Sequence, residues 1–452
     1  MYRQAIQYLQ KWLEDPDRLP MVIRGARQVG KTWSVRDLAQ KTGKYLLELN
    51  FEKKPSHRSL FDSNDPQQIL LNLESLTGQS INIADSILFL DEIQAAPELL
   101  SKLRWFAEDM PELAVIAAGS LLEFTLGEHE FSMPVGRISY LHLEPLSFEE
   151  FLLARDKNKL QEYLNHFSME MKIPDAIHQQ LLQLFKEYVI IGGLPKVVSS
   201  WVSSQSLEKA NRIQHELLAT YRDDFAKYRG RLPIEHLDDT LQAIPNMLGE
   251  KFVYRRVNPH VQTAPIKSAV NLLNKARVCH SVKLTSANGL PLGAGVNQKF
   301  FKEIFIDVGL ASTQLGLSLH EINRLDDINL INRGGISEQV VGQLLRTNIP
   351  FYIEPSLYYW AKEERTSNAE IDYIVQHKDK IIPIEVKSGT TGQLKSLHVF
   401  VAAKQLALAV RVNSALPSLA TISSTLYDGS EVSYELLSLP FYLLGQLSRL
   451  LG

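Results

Sequence analysis

Apolar runs without alternation mark the first third of the chain. They fall near residues 21–25, 45–51, 86–91, 113–119 and 138–143, as in "MVI" and "ILFL", and such runs are how strands of a parallel sheet covered on both faces read. Stretches of helical spacing lie between them, so residues 1–146 predict an α/β layer structure. An amphipathic helix carrying charges of both signs occupies residues 1–20. From Ser147 the pattern turns helical ("SFEEFLLARD", "AIHQQLLQLFKEYVI", "LEKANRIQHELLATYRDDFAKY"), which predicts a helical lid over 147–230, broken by Gly192 and Gly193 before Pro195.

Beyond the loop-like "RGRLP", the runs "IEHLDDTLQAIPNML" and "APIKSAVNLLNKA" predict two helices, and "VCHSVKLTSANGLPLGAGVNQKFFKEIFID" predicts an extended segment with a long wing. This is the order of a winged helix, expected over 231–312. In the remainder, 313–452, two alternating runs, "AEIDYIV" and "IIPIEV", flank a polar "HKDK", which is a hairpin signal. Near the end, "LLSLPFYLLGQLSRLL" is too short to span a bilayer and is interrupted by Pro440, Gln446 and Arg449. It predicts a terminal helix docked on a core, with a peripheral membrane or partner-binding helix as the other reading. No stable membrane insertion is expected.

Candidate chemistry starts in "VIRGARQVGKTWS", where Gly25, Gly30, Lys31 and Thr32 fit GxxxxGK[ST] between a strand and a helix. In such a loop the backbone N–H groups of Gly25, Ala26, Arg27, Gln28, Val29 and Gly30 turn onto phosphates, and the next helix adds its positive end. Lys31 would reach the β and γ phosphates, and Thr32 would offer its hydroxyl to Mg²⁺. Asp91 and Glu92 stand at the carboxyl end of the "ILFL" strand, where ligands of open α/β sheets bind. Asp91 is therefore expected in the Mg²⁺ shell and Glu92 beside the attacking water. Ser120 ends the strand in "LAVIAAGS", within reach of a γ-phosphate. Arg137, in "PVGR", either stabilises transition-state charge, in its own subunit or a neighbour's, or is a surface salt-bridge arginine.

These motifs, with "PLSFEEF" and "IGGLP", resemble the AAA-type ATPases of bacteria and archaea that carry a domain of uncharacterised function behind the ATPase core. The resemblance covers most of the chain. It implies a P-loop core with a parallel sheet and helical lid, with ATP and Mg²⁺ as cofactors, and it admits a homo-oligomer.

Bulk composition adds little at first. A length of 452 residues suggests about three domains, and a net charge of −3 announces no nucleic acid. The single cysteine, Cys279, excludes an internal disulfide and a cysteine-based zinc site and suits a reducing cytoplasm, the expected location. The local charge is different, because Lys251 to Lys302 contains no Asp or Glu and nine Lys or Arg. That run overlies the expected winged helix. DNA is accordingly the expected partner, with Arg255, Arg256, Lys267, Lys275 and Lys283 as contacts, and a protein-binding winged helix is the other reading.

The hairpin carries a second set of carboxylates. A turn at Lys378–Asp379 sets Asp372 opposite Glu385 and Glu370 opposite Lys387, with all four on one face. Opposed Cβ atoms lie about 5 Å apart, so Asp372 and Glu385 could share one Mg²⁺ or Mn²⁺, with Lys387 beside the scissile phosphate. The arrangement resembles the PD-(D/E)xK, restriction-endonuclease-like fold, with Glu385-Val386-Lys387 as the ExK element. That resemblance implies a further metal ligand from a preceding helix, for which Glu338 is in place. It also departs from the family in having no proline before Asp372.

The expected chain is thus an α/β protein divided at 1–146, 147–230, 231–312 and 313–452: a P-loop AAA-type core, helical lid, winged helix and nuclease-like domain. The expected function is a Mg²⁺-dependent ATPase that binds DNA and gates a metal-dependent nuclease. The alternative is a regulatory ATPase whose nuclease-like scaffold binds protein or DNA and cuts nothing.

Overall fold

Five of the apolar runs become five parallel strands. In the computed structural model, which describes residues 2–120, 134–224, 232–317, 334–362, 369–387 and 394–452, they are β1 (Met21–Arg24), β2 (Tyr45–Asn50), β3 (Ser86–Asp91), β4 (Ala114–Ala118) and β5 (Ser139–His142). Every residue of β3 and β4 is buried, which accounts for their lack of alternation. Helix α1 (Gln4–Glu14) precedes β1, and α2 (Lys31–Thr42), α3 (Pro66–Thr77) and α4 (Leu99–Asp109) lie between the strands. The strand order is β2-β3-β4-β1-β5. It brings the carboxyl ends of β3, β4 and β1 side by side, so Asp91, Ser120 and Gly25 end or follow three adjacent strands.

A helical layer follows: α5 (Phe148–Ala154), α6 (Asn158–His166), α7 (Asp175–Ile191), α8 (Pro195–Ser204) and α9 (Leu207–Asp224). A capping box starts α5, with Ser147 accepting from the Glu150 N–H and the Glu150 carboxylate accepting from the Ser147 N–H. Edge-to-face contacts among Phe148, Phe151, Phe185 and Tyr188 fill the space between α5 and α7. The boundary expected near 230 falls outside the described residues.

Then come α10 (Ile234–Ala243), α11 (Tyr254–Val257), α12 (Thr263–Lys275), β6 (Cys279–Thr285), β7 (Val296–Phe305), α13 (Val308–Gln314), α14 (Gly334–Thr347), β8 (Leu357–Ala361), β9 (Glu370–His377), β10 (Lys380–Val386), α15 (Lys395–Lys404), β11 (Leu408–Asn413), β12 (Ser418–Thr425) and β13 (Glu431–Pro440). All eight strands join one mixed sheet, in the order β12-β13-β11-β10-β9-β8-β6-β7.

Two expectations need correction here. The division between 312 and 313 does not separate two sheets, because β6, from the extended segment expected to carry the wing, pairs in parallel with β8 from Val282↔Leu357 to Leu284↔Tyr359. Nor is the C-terminal apolar stretch one helix. Residues through Pro440 complete β13, and a 3₁₀ turn, Phe441–Gln446, buries Phe441, Tyr442, Leu443 and Leu444 before a last short helix, Leu447–Leu450. Proline in a helix interior would lose a hydrogen bond and clash with the preceding turn, whereas the end of a strand accepts it. Among the described residues no helix is long and apolar enough to cross a membrane.

Candidate functional site

The nucleotide-binding motif lies where β1 turns into α2. Gly25 is positioned so that a Cβ would meet the Leu143 carbonyl oxygen at 2.5 Å, so only glycine lets the loop pass β5 this closely. Gly30 caps α2 at φ 98°. Lys31 begins the helix and is buried, and its ammonium donates to the carbonyls of Gly25 and Ala26 at 3.0 and 2.8 Å. The Thr32 hydroxyl donates to Asp91 Oδ1 at 3.1 Å, which joins the loop to the end of β3. Asn50, at the end of β2, donates to Asp91 Oδ2 at 3.0 Å. Burial, followed by the neighbouring Glu92, pushes the Asp91 carboxyl up, against the two hydrogen bonds from Thr32 and Asn50.

Glu92 adopts a left-handed backbone at φ 53°, and its carboxylate accepts from Gln94 at 2.6 Å. Ser120 is buried, and its hydroxyl has no hydrogen-bond partner among the described residues. The Thr32–Asp91 pair and this orphaned hydroxyl are the polar groups that Mg²⁺-ATP would use, so the residues present fit the cofactor. Arg137 is not brought into this group, since its guanidinium pairs with Glu108 of α4 at 2.8 Å and is about half exposed.

Two arginines tie the loop to its surroundings, and the sequence motif did not reveal either tie. Arg27 pairs with Asp224 at the end of α9, and the Tyr221 hydroxyl donates to the Arg27 carbonyl at 3.1 Å. Arg3, buried ahead of α1, donates to the Val29 carbonyl at 3.0 Å, to Glu150 at 3.2 Å and to the Glu144 carbonyl at 2.7 Å. The Glu144 side chain in turn holds Arg346 of α14 with two bonds, 2.7 and 3.1 Å. A continuous set of charge-assisted contacts therefore runs from the P-loop to α14.

The basic run is less basic on the surface than its composition. Arg256 is held by Glu250, buried Arg277 by Glu354, and Lys302 is enclosed by carboxylates. Arg255 on α11, Lys267 and Lys275 on α12, and Lys283 and Lys299 on β6 and β7 are exposed. His280 is buried, and burial holds its imidazole well below the usual range.

In the hairpin the register is the expected one from Lys380↔His377 to Ile384↔Tyr373. Past that point the strands part, because Asp372 Oδ2 accepts the Val386 N–H at 2.8 Å in place of a ladder bond. Lys387 turns toward β11, donating its N–H to the Val412 carbonyl at 2.8 Å, and its ammonium pairs with Glu385 at 2.5 Å. The expected Glu370–Lys387 partnership is therefore replaced: Glu370 pairs with Lys302 of β7 at 2.7 Å, as does Glu338 of α14 at 2.8 Å. Burying an ammonium costs several kcal/mol. For Lys302 that desolvation is outweighed by Glu338, Asp372 and Glu370, which hold its pKa up. Burial and Asp372 push up the carboxyls of Glu338 and Glu385. Among the described residues no three His, Cys, Asp or Glu side chains are grouped to hold a metal, so the expected ligand set of Glu338, Asp372 and Glu385 does not assemble. The Lys302 ammonium stands on its Glu338 side.

Residues 17–152 match the model of a family described as an AAA domain. The N-terminal region is an AAA-type P-loop domain. Residues 182–321 and 333–421 match two further families, each described as a domain of unknown function (DUF8612 and DUF4143). No curated protein matches the chain. Among solved structures, PCH-2 of C. elegans is 14% identical with a TM-score of 0.25, and the match covers 40% of this chain and 56% of that one. The ORC2 protein of Aeropyrum pernix, in its ADPNP–ADP complexes, is 14% identical with a TM-score of 0.32, over 71% of this chain and 93% of that one. A Signal Transduction ATPase with Numerous Domains with a tetratricopeptide repeat sensor, from Pyrococcus horikoshii, is 12% identical with a TM-score of 0.27, over 77% and 46%. The AAA domain thus holds Gly25 to Thr32, Asp91, Glu92, Ser120 and Arg137, while Lys302 and its carboxylate partners come from the two segments of unknown function.

Proposed function

We propose that the chain is a Mg²⁺-dependent ATPase whose nucleotide state controls how its C-terminal half engages DNA. The observation that carries the ATPase reading is the Thr32–Asp91 bond, which joins the two motifs that Mg²⁺-ATP requires together and leaves Glu92 next in the chain. Lys31 exchanges its loop carbonyls for phosphate oxygens when nucleotide enters, and Glu92 orients and polarises water. Thr32 and Asp91 would hold Mg²⁺, which would neutralise charge developing on the phosphates. The exposure of Arg137 suits an arginine that reaches the phosphates of a neighbouring copy. The tie from Arg27 to Asp224 passes the state of the loop to the lid.

DNA engagement is proposed for Arg255, Lys267, Lys275 and Lys283, exposed cations that would release counterions from a phosphate backbone. A second reading, a metal-dependent nuclease, is favoured by the convergence of Asp372, Glu385 and Lys387 and by Glu385 Oε2, which is buried without a hydrogen-bond partner among the described residues. The deciding experiment measures ATP turnover with and without duplex DNA, and DNA affinity with ATP, with ADP and without nucleotide. Turnover and affinity that ignore each other would end the coupling proposal, and cleavage in Mn²⁺ that is lost with Lys387→Ala would establish the second reading.

A further inference from the structure

A cavity of about 530 Å³ lies between the end of α12, the start of β6 and the segment that leads into β8. Lys275, Arg277, Lys283 and Arg346 line it, with Glu354 as the one carboxylate among the lining residues. Arg346 is committed to Glu144 and to the Pro355 carbonyl, so it fixes the wall. Lys275 and Lys283 are exposed, and neither is ion-paired among the described residues. The Arg277 side chain is only 6% exposed, and it pairs at 2.8 Å with Glu354, whose side chain is 61% exposed. We propose that this cavity binds a phosphomonoester carried on a sugar, whose phosphate takes the place of Glu354 on Arg277 and gathers Lys275 and Lys283. A free sugar phosphate and the 5′ end of a DNA strand both present that group. The second source rests on the DNA reading of Lys275 and Lys283, whereas the first does not.

The backbone places this guanidinium against its own preference. Arg277 stands just past α12 at φ 59°, and the N–H groups of Arg277 and Val278 donate to the carbonyls of Asn274 and Leu273 at 2.9 and 3.0 Å. This is a Schellman ending, whose left-handed position glycine usually fills. An arginine there is strained, and an ion pair with a mostly exposed carboxylate returns little stability. Residues held in such conformations cluster at ligand sites. The charge balance points to an anion. Glu144 lies on Arg346, and Glu303 is bonded to Asn274 and Ser281 of the wall, so with Glu354 the four cations face three carboxylates. With Glu354 turned out to solvent the excess is two positive charges, which a phosphomonoester dianion closes and a phosphodiester does not. A guanidinium suits that group because it pairs with phosphate through two N–H donors. The volume falls in the range of small-ligand sites, about 300–1,000 Å³, which leaves room for more than a bare phosphate. No Phe, Tyr or Trp lines the cavity to stack on a base, whereas exposed Asn271 and Ser356 can hydrogen-bond to hydroxyls.

The test is calorimetry on the full, nucleotide-free chain carrying Lys31→Ala, which removes the phosphate-clamping lysine of the P-loop. The probes are ribose 5-phosphate, ribose as its control, and single-stranded DNA ending in a 5′-phosphate or a 5′-hydroxyl. One ribose 5-phosphate should bind, and ribose should not. Its affinity should fall about tenfold or more with Arg277→Gly, and likewise with Lys275→Met and Lys283→Met together, and should rise about threefold with Glu354→Gln. Glycine suits the left-handed position, and the other variants change exposed side chains, so the arms do not depend on a damaged fold. A 5′-phosphate that strengthens DNA binding about tenfold, with the gain lost in Arg277→Gly, would make the strand end the source. Equal binding of the two DNAs, or binding of neither, beside a ribose 5-phosphate site would make it a free sugar phosphate, and binding of neither would also end the DNA reading. No ribose 5-phosphate binding together with no gain from the 5′-phosphate would overturn the proposal, even where both DNAs bind. Sugar phosphate binding that ignores Arg277→Gly and the lysine pair, or that Glu354→Gln fails to tighten, would overturn it as well.

Discussion

Gly193 donates its backbone N–H to Asp307 Oδ2 at 2.6 Å, and this bond clasps the lid to the segment that leaves β7. Asp307 is fully buried and caps α13 by accepting from the N–H groups of Gly309 and Leu310. Gln343 of α14 donates to the Tyr188 hydroxyl at 3.0 Å, which donates onward to the Leu146 carbonyl at 2.7 Å. The "IGGLP" run therefore has a packing reason: it lets the lid's backbone approach a carboxylate of the C-terminal half.

Gly192→Ala should break this clasp. Its φ of 77° and ψ of −170° lie where only glycine rests easily, and a Cβ would overlap the Asp307 carboxylate. The expected loss is about 3 kcal/mol or more, read as a shift in the urea midpoint. An alanine variant of native stability would show that the close approach is not required.

Lys31→Ala should abolish ATP turnover by removing the charge that clamps the phosphates. Glu92→Gln should bind nucleotide and stall, with turnover down by about 100-fold, the scale of a lost general base. Nucleotide affinity and phosphate release measured together separate the two effects. Normal hydrolysis by Lys31→Ala would remove the P-loop assignment.

What was legible in the chain was what is local. Strands β3 and β4 could be read because fully buried parallel strands lose alternation, and the β9–β10 register could be read as far as Ile384↔Tyr373 because a short turn determines the pairings next to it. Gly25 to Thr32 and Asp91–Glu92 form contiguous motifs. The Lys302 partnership with Glu338 spans 36 positions and the Arg27–Asp224 pair spans 197, and neither has a periodic signature. The basic run was overcounted because Glu250 and Glu354, which lie outside it, satisfy Arg256 and Arg277. The pairing of β6 with β8 was not legible because hairpin patterning does not reveal a third strand along the edge of β6.

Reversing Lys267, Lys275 and Lys283 to Glu together should weaken DNA binding across all duplex sequences. The slope of log affinity against log salt should fall by about 0.9 per phosphate contact removed. Arg256→Glu should do less, because Glu250 already engages that guanidinium. Binding that is flat with salt, and unmoved by the triple reversal, would assign these lysines to something other than DNA.

Glu303 should make the chain pH-dependent. Its carboxyl accepts from Asn274 at 3.0 Å and from Ser281, and burial pushes it up to about 7 from 4.5. A carboxyl whose folded pKa is raised gives stability that is complete below its unfolded value and is lost as pH rises through the folded one. The loss across pH 4.5 to 8 is on the order of 3 kcal/mol. Glu303→Gln should be the less stable protein at pH 5, where its amide replaces a well-placed acid, and the more stable at pH 8. Urea midpoints of both proteins across this range test the sign, and parallel curves would refute the assignment.

The Arg27–Asp224 pair should act as a latch between loop and lid. The guanidinium is about a quarter exposed and the carboxylate mostly buried, so screening limits the pair to about 1 kcal/mol in a double-mutant cycle. Its place matters more than its strength. Arg27 lies inside the phosphate-binding loop, and its carbonyl is also held by Tyr221 from the same helix, so α9 grips both ends of one residue whose backbone must present N–H groups to nucleotide. Releasing the side chain lets the loop wander, which raises the cost of ordering it around ATP without altering Glu92. Asp224→Ala and Arg27→Ala should therefore each raise the KM for ATP about fivefold with kcat nearly constant, the signature of lost uniform binding. The double variant should be little worse than either single one, because both remove the same contact. If the two KM effects multiply in the double variant, the residues act separately and α9 is not reading the loop.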